Sequence, residues 1–407
     1  MNVLFLAPQP YFVPRGTPIA VRAAARAVVS LGHRVEILAY HAGEDVRDSG
    51  VRIRRIQRPP GVHSVPIGPS WRKAVCDVRM LRAALRLAAT GSYELIHAVE
   101  EAAFIAMLIK RRLGIPFVYD MDSLMCEQIR DKNPLLLPAA AAFAAMERRA
   151  VRSALGVLAV CPALVDDVRR MHPTADIALL PDMPLNTGDE EPDAEIAAID
   201  GPRIVYVGNL EPYQGLPLLL DAFTRVAPDF ARATLIVVGG GKPGAEARLL
   251  RRIPAALWRQ GRVRMLGPRP LERLGNILAA ADILVSPRCA GRNTPMKLYS
   301  YLQSGRPVLA TRLPTHTQVL TDDTALLVAP NASAMADGLR RLLAAPELRR
   351  RLGDAGRALA RREYGPEAFR RRIAEFYGRV GQRVERRCWG AARPVAELLA
   401  PRIRRTS

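Results

Sequence analysis

At 407 residues the chain exceeds what one hydrophobic core usually organises, and suits two domains of about 150–200 residues each. A composition 49% hydrophobic and 24% charged excludes a disordered or fibrous protein, and no apolar run approaches the roughly 18 residues of a membrane span. The net charge of +21 is mostly Arg spread along the whole chain; nucleic acid, an anionic membrane surface and a general Arg bias compete to explain it, and the absence of any zinc finger, RNP box or recognition-helix pattern argues against nucleic acid.

Met1-Asn2 leads directly into Val3-Leu4-Phe5-Leu6, a buried strand by its apolar run, without the basic segment and cleavage site of a signal peptide. Residues 18–31 read as a helix and 34–40 as the next strand; Leu95-Ile96-His97, Phe117-Val118-Tyr119 and Val157-Leu158-Ala159-Val160 are further strands. Continuous apolar strands separated by helices predict parallel sheets covered on both faces. The pattern breaks at 186–202, which is polar, acidic and rich in Gly, Pro and Asp. Alternation restarts at Arg203-Ile204-Val205-Tyr206-Val207 and continues through strands near 235–238, 263–266, 283–285 and 308–310. The spacing therefore predicts an α/β protein with domains at 1–185 and 203–365, a linker at 186–202, and a closing helix with a basic tail at 366–407. Two doubly wound units joined this way are expected to bind ligand at their strand C-termini, across a cleft. The five cysteines are far apart and odd in number, which points to a reducing, cytoplasmic setting.

Three strand-to-helix turns carry the chemistry. In Pro14-Arg15-Gly16-Thr17-Pro18, Thr17 is a candidate N-cap and Pro18 the first helical residue, so the turn offers amides to an anion; a tight turn without ligand is the alternative. Gly208-Asn209-Leu210-Glu211-Pro212-Tyr213-Gln214-Gly215 is the matching turn of the second domain, where Asn209 and Gln214 offer neutral donors. After a strand ending at Ser286-Pro287, Arg288, Arg292 and Lys297 surround Asn293-Thr294-Pro295-Met296, read as the opening of a helix that Gly305 closes. Helix dipole, free amides and cations together predict an anion site. Gly240, within the run Gly239–Gly241, follows another strand and approaches the same ligand. In the first domain, His97 with Glu100 and Asp120 with Asp122 stand at strand ends as acid/base or acceptor-binding candidates; helix capping explains Glu100 and Asp122 equally well. The other histidines, His316 among them, read as structural or surface, and no HExxH, nucleophile elbow or Walker A pattern is present.

Taken together, Gly16, Gly208 to Gly215 with Leu218-Leu219-Leu220-Asp221-Ala222-Phe223, Val237-Val238-Gly239-Gly240-Gly241, and Pro295-Met296-Lys297-Leu298 through Gly305-Arg306-Pro307-Val308 resemble the retaining glycosyltransferases of family four, over nearly the full length. The resemblance implies the GT-B fold: two Rossmann-like domains, the first for the acceptor and the second for a nucleotide-sugar, with a last helix crossing back to the first. It implies sugar transfer with retained anomeric configuration and no required metal or other cofactor. The departures all fall in the site. Where most members carry two glutamates eight positions apart, this chain has Arg292 and Ser300; where they carry an Arg and a Lys against the diphosphate, it has Asn209 and Gln214; a frequent His corresponds to Asp122.

Polar replacements and a new cation favour an active variant. In it Arg292, Arg288 and Lys297 neutralise the diphosphate, Ser300 meets the ribose, and the sugar points toward Gly16 and Asp122. Arg292, Lys297 and Asp122 are the catalytic candidates, and Arg15, Thr17, His97 and Glu100 the acceptor-binding ones. The expected partners are a nucleotide-sugar and a glycan or lipid-linked acceptor in cell-surface polysaccharide or glycolipid synthesis. An anionic membrane surface joins them through the basic helix at 71–86, with Val75, Val78, Leu81 and Leu85 at helical spacing, although such a stripe equally suits a core. A nucleotide-sugar epimerase and a non-catalytic nucleotide-sugar-binding protein are the rival functions.

Overall fold

The computed structural model describes residues 1–66, 68, 70–132 and 137–398; the basic tail beyond 398 lies outside the described residues. The chain divides into one unit of Met1–Leu180 with Arg370–Ser407, and a second of Pro181–Phe369. The division falls a few residues ahead of the polar stretch at 186–202, because that stretch is fastened to the second unit. Asp193 caps the short helix Ala194–Ala197 and takes the Arg273 guanidinium, while Asn276 Nδ2 donates to the carbonyl of Glu191.

In the first unit, β1 (Asn2–Ala7), β2 (Arg34–Ala39), β3 (Val51–Arg55), β4 (Leu95–Val99), β5 (Phe117–Met121), β6 (Val157–Ala159) and β7 (Ile177–Leu179) form one parallel sheet in the order β3-β2-β1-β4-β5-β6-β7. The registers Val3↔Val35 and Val3↔Leu95 place β1 between β2 and β4 in the sheet interior. Five of the six β1 residues are buried, as a strand covered on both faces requires. The helices are α1 (Gly16–Ser30), α2 (Trp71–Thr90), α3 (Ala102–Leu113), α4 (Met125–Lys132), α5 (Leu137–Ser153) and α6 (Pro162–Met171). Strand order reverses between β1 and β4, the point in such a sheet where the strand ends leave a crevice.

The second unit repeats the plan. After α7 (Ala194–Ala197), strands β8 (Arg203–Val207), β9 (Thr234–Val238), β10 (Val263–Gly267), β11 (Ile283–Ser286), β12 (Val308–Thr311) and β13 (Leu326–Val328) run parallel in the order β10-β9-β8-β11-β12-β13, with the reversal at β8 and β11. Its helices are α8 (Leu216–Val226), α9 (Ala245–Leu250), α10 (Ala255–Arg259), α11 (Leu274–Ala279), α12 (Lys297–Gln303), α13 (Pro314–Thr317), α14 (Ala332–Ala344) and α15 (Pro346–Leu359). Alternate β8 residues feed opposite cores: Ile204 and Tyr206 join one apolar cluster, Val205 the other.

The last helix, α16 (Pro366–Leu398), begins in the second unit and belongs to the first from Arg370 onward. Its Tyr377 is fully buried there, and its hydroxyl meets His97 Nδ1 at 2.8 Å.

Candidate active site

Backbone geometry brings three turns of the second unit together. Gly208 follows β8 and Gly239 follows β9; a Cβ on Gly239 would stand 1.8 Å from the Gly208 carbonyl oxygen, so the two turns touch backbone to backbone. The 3₁₀ turn Pro212–Gln214 leads into Gly215, at φ +74, where a Cβ would lie 1.9 Å from the carbonyl oxygen of Pro287. This contact sets the β8 turn against the segment that leaves β11, and it brings Gln214 and Tyr213 to the cations of that segment.

Lys297 Nζ donates to Gln214 Oε1 at 3.2 Å and lies 4.0 Å from the centre of the Tyr206 ring. The Arg288 guanidinium carbon stands 5.1 Å above the Tyr213 ring, and its Nη1 donates to the Asn293 carbonyl (2.8 Å) and to Thr315 Oγ1 (2.7 Å). Among the described residues neither cation has a carboxylate partner. Burial, with Arg288 beside it, holds the Lys297 ammonium well below the ordinary lysine range; burial lowers Arg288 too. Arg288 Nε and Thr294 Oγ1 are buried without a hydrogen-bond partner. Two desolvated cations faced only by amide, hydroxyl and π groups form a site for an anion.

The expected residues of this segment do not all join that site. Arg292 is exposed, and its carbonyl accepts from Gln318 Nε2 at 2.7 Å. The helix opens at Lys297 and not at Thr294: Leu298 and Tyr299 donate to the carbonyls of Pro295 and Met296, so those amides are already used. Thr294 caps nothing, Pro295 is buried, and Met296 is the flanking residue. The anion site therefore rests on side-chain cations more than on a helix dipole. Ser300 is fully buried, and its Oγ accepts the Leu185 amide at 2.9 Å, which leaves no exposed oxygen for a ribose. Asn209 is exposed; its side chain reaches the Tyr213 hydroxyl at 3.5 Å, while its carbonyl accepts from the Tyr206 hydroxyl. The Gly240 carbonyl accepts from Leu210 N at 3.1 Å, again a link between turns.

Behind Arg288 lies a network that the sequence left unread. Thr311 Oγ1 donates to the Arg288 carbonyl (2.6 Å), His316 Nδ1 to the Thr311 carbonyl (2.7 Å), and Ser286 Oγ to His316 Nε2 (2.9 Å). Burial lowers His316 to about 4, so the ring is neutral near pH 7 and can hold these two roles. Solitary residues on three different elements offer no motif; only the fold assembles them.

In the first unit, α1 opens at Gly16, with Arg15 as the flanking residue whose carbonyl accepts from Ile19 N. Thr17 therefore lies inside the first turn and is not the cap. Glu100, just past β4, adopts φ +48; its Oε1 accepts from Ser123 Oγ (3.1 Å), which accepts from Gln128 Nε2 (2.5 Å). Asp122 stands half-buried one residue beyond β5. Glu101 pairs with Lys73 of α2 at 2.5 Å. Burial opposes the Lys73 ammonium, but Glu101 and Glu100 outweigh it and raise its value; burial raises Glu101, and brings Asp77 to about 6. His97 does not reach this face. It is fully buried in mid-strand, stacked on Phe5 at 4.0 Å, with its second nitrogen 3.0 Å from Asp120 Oδ2. Packing consumes both ring nitrogens, so His97 anchors α16 and does not touch an acceptor.

Two family models match the chain: "Glycosyl transferase 4-like domain" over residues 15–182 and "Glycosyl transferases group 1" over 201–345. The phosphatidyl-myo-inositol mannosyltransferase of Mycobacterium tuberculosis is 26% identical over 379 residues, 89% of this chain and 93% of that protein. The alpha-D-kanosaminyltransferase of Streptomyces kanamyceticus is 24% identical over 69% of this chain and 75% of its own length. Among solved structures, sucrose-phosphate synthase from Thermosynechococcus elongatus superposes with a TM-score of 0.77 at 21% identity, covering 94% of this chain and all of that one. Anabaena HepE in complex with UDP-glucose gives 0.67 at 15% identity, covering 93% and 99%. At these identities the structural likeness is one of fold, GT-B.

Proposed function

The chain belongs to the group 1 glycosyltransferases, and from that premise we propose that it transfers a sugar from a nucleoside diphosphate sugar to a glycan or lipid-linked acceptor, with retention and without a resident metal. The observation that carries this reading is the pair Arg288 and Lys297, two desolvated cations with no carboxylate between them. They offset the charge that develops on a departing diphosphate, which is the largest electrostatic demand of the reaction. HepE, of the same fold, has been captured with UDP-glucose, which supports a donor of this class. The mannosyltransferase relative acts on a phosphatidyl-inositol, which supports a lipid-linked acceptor and a role in cell-surface glycolipid or polysaccharide synthesis. In this reading the second unit holds the donor. The strand-end face of the first, with Arg15, Glu100 and Asp122, holds the acceptor; Asp122 orients its hydroxyl or offsets positive charge on the sugar ring.

The setting we assign is the cytoplasmic membrane face. No helix among the described residues is long and apolar enough to cross a membrane. On α2, however, Trp71, Val75 and Val78 are 64%, 38% and 51% exposed, and Arg82 and Arg86 extend the same outward stripe, while Leu81 and Leu85 pack against the core. An apolar end flanked by Arg suits an anionic lipid surface. Co-sedimentation with phosphatidylglycerol vesicles at low salt tests this, and no binding there removes the membrane from the reading.

Calorimetric titration with UDP, GDP and ADP, followed by donor-turnover assays with the corresponding sugars, tests the function. One nucleotide is expected to bind and its sugar donor to turn over. Failure of all three nucleotides to bind overturns the proposal, and binding without turnover of any sugar donor leaves only a nucleotide-sugar-binding protein.

A further inference from the structure

We infer that Thr315 is a positioning residue for the donor, acting through Arg288, and this rests on the reading that Arg288 meets the diphosphate. A long arginine side chain has many rotamers, so a free one loses affinity when a ligand immobilises it. Here the immobilisation is built in. Arg288 Nη1 donates to Thr315 Oγ1 at 2.7 Å and to the Asn293 carbonyl at 2.8 Å, and Thr315 Oγ1 donates to that same carbonyl at 2.6 Å. These three contacts close a ring around one edge of the guanidinium. Its Nε is buried and unpartnered, so part of the donor set stays unspent.

Thr315 is fully buried, as are Ser286, Thr311 and His316 behind it. From that side the Arg288 carbonyl is fixed by Thr311, so both ends of the arginine are pinned from β12 and the start of α13. A threonine that only filled space would be replaceable by valine, which has the same shape. A threonine that aims the cation would not, because valine removes both the acceptor for Nη1 and the donor to Asn293.

The experiment measures UDP, GDP and ADP affinity by calorimetry for the wild type, T315V, T315S, R288A and the double variant R288A/T315V, with circular dichroism to confirm folding. For the nucleotide that binds, T315V is expected to weaken affinity about tenfold and T315S to restore it. R288A is expected to weaken it further, and adding T315V to R288A to change nothing more. Unchanged affinity in R288A overturns the reading of Arg288. A loss in R288A with wild-type affinity in T315V overturns the positioning role alone, as does an equal T315V effect in both backgrounds.

Discussion

Lys297 Nζ lies 3.2 Å from Gln214 Oε1, so a desolvated cation of the second unit is met by a neutral amide. A buried charge without a counterion costs folding free energy that loss of its proton or an anionic ligand recovers. Lys297→Met should therefore stabilise the ligand-free protein, by on the order of 1 kcal/mol in urea unfolding, and lower kcat/KM at least a hundredfold. A variant that loses stability, or keeps near-normal activity, removes Lys297 from the anion site.

The same residue sets a pH signature. Its folded value lies well below that of the unfolded chain, so between the two the unfolded state holds more protons, and the Lys297 contribution to stability grows as pH rises through that window. A bound diphosphate reverses the depression. At a pH inside that window nucleotide binding should take up a proton, giving calorimetric enthalpies that differ between Tris and Bicine buffers, whose ionisation enthalpies differ. Equal enthalpies would refute the coupling.

His316 gives the opposite end of the pH scale. Burial holds it at about 4, below its unfolded value, so its share of stability is complete above about pH 6.5 and is lost progressively toward pH 4. The acid limb of the wild-type stability curve should flatten in His316→Gln. An unaltered limb would show that the ring does not titrate with unfolding.

His97 separates structure from function in the first unit. With Tyr377 on one nitrogen and Asp120 on the other, His97→Ala should cost about 2–4 kcal/mol in urea unfolding, and Tyr377→Phe about 1 kcal/mol. Nucleotide affinity should be unchanged in both. A His97 variant of normal stability that had lost only transfer would return His97 to the acceptor site.

The buried strands were legible because a strand covered on both faces must be apolar throughout, as Val3–Leu6 and Leu235–Val238 are. The edges were not. β3 reads Val-Arg-Ile-Arg-Arg, since an edge strand carries charge that discourages pairing, and β7 and β13 are only three residues long. In the site, Arg288 and Lys297 could be named from cations clustered after a strand. Thr294-Pro295 has the form of a helix start, but the helix begins later, at Lys297. Thr315 and His316 were beyond reach, because their partners lie on β11, β12 and the segment after β11, and only packing joins them.

Glu100 is the non-glycine residue with positive φ among those described, at +48, and its strained turn sits at the strand-end face beside Ser123. Left-handed backbone costs a side chain with a Cβ about 1 kcal/mol, and such strain persists where the surroundings enforce it, often at functional sites. Glu100→Gly and Glu100→Ala both remove the carboxylate, but only glycine relieves the backbone. Glu100→Gly should be more stable than Glu100→Ala by about 1 kcal/mol, less than that if glycine's added unfolded-state freedom offsets part of the gain. Both should lower sugar transfer equally while leaving nucleotide affinity intact, because the acceptor loses its carboxylate in each. Equal stability of the two would show that the turn relaxes without cost, and transfer unaffected in either would show that Glu100 shapes the loop and nothing more.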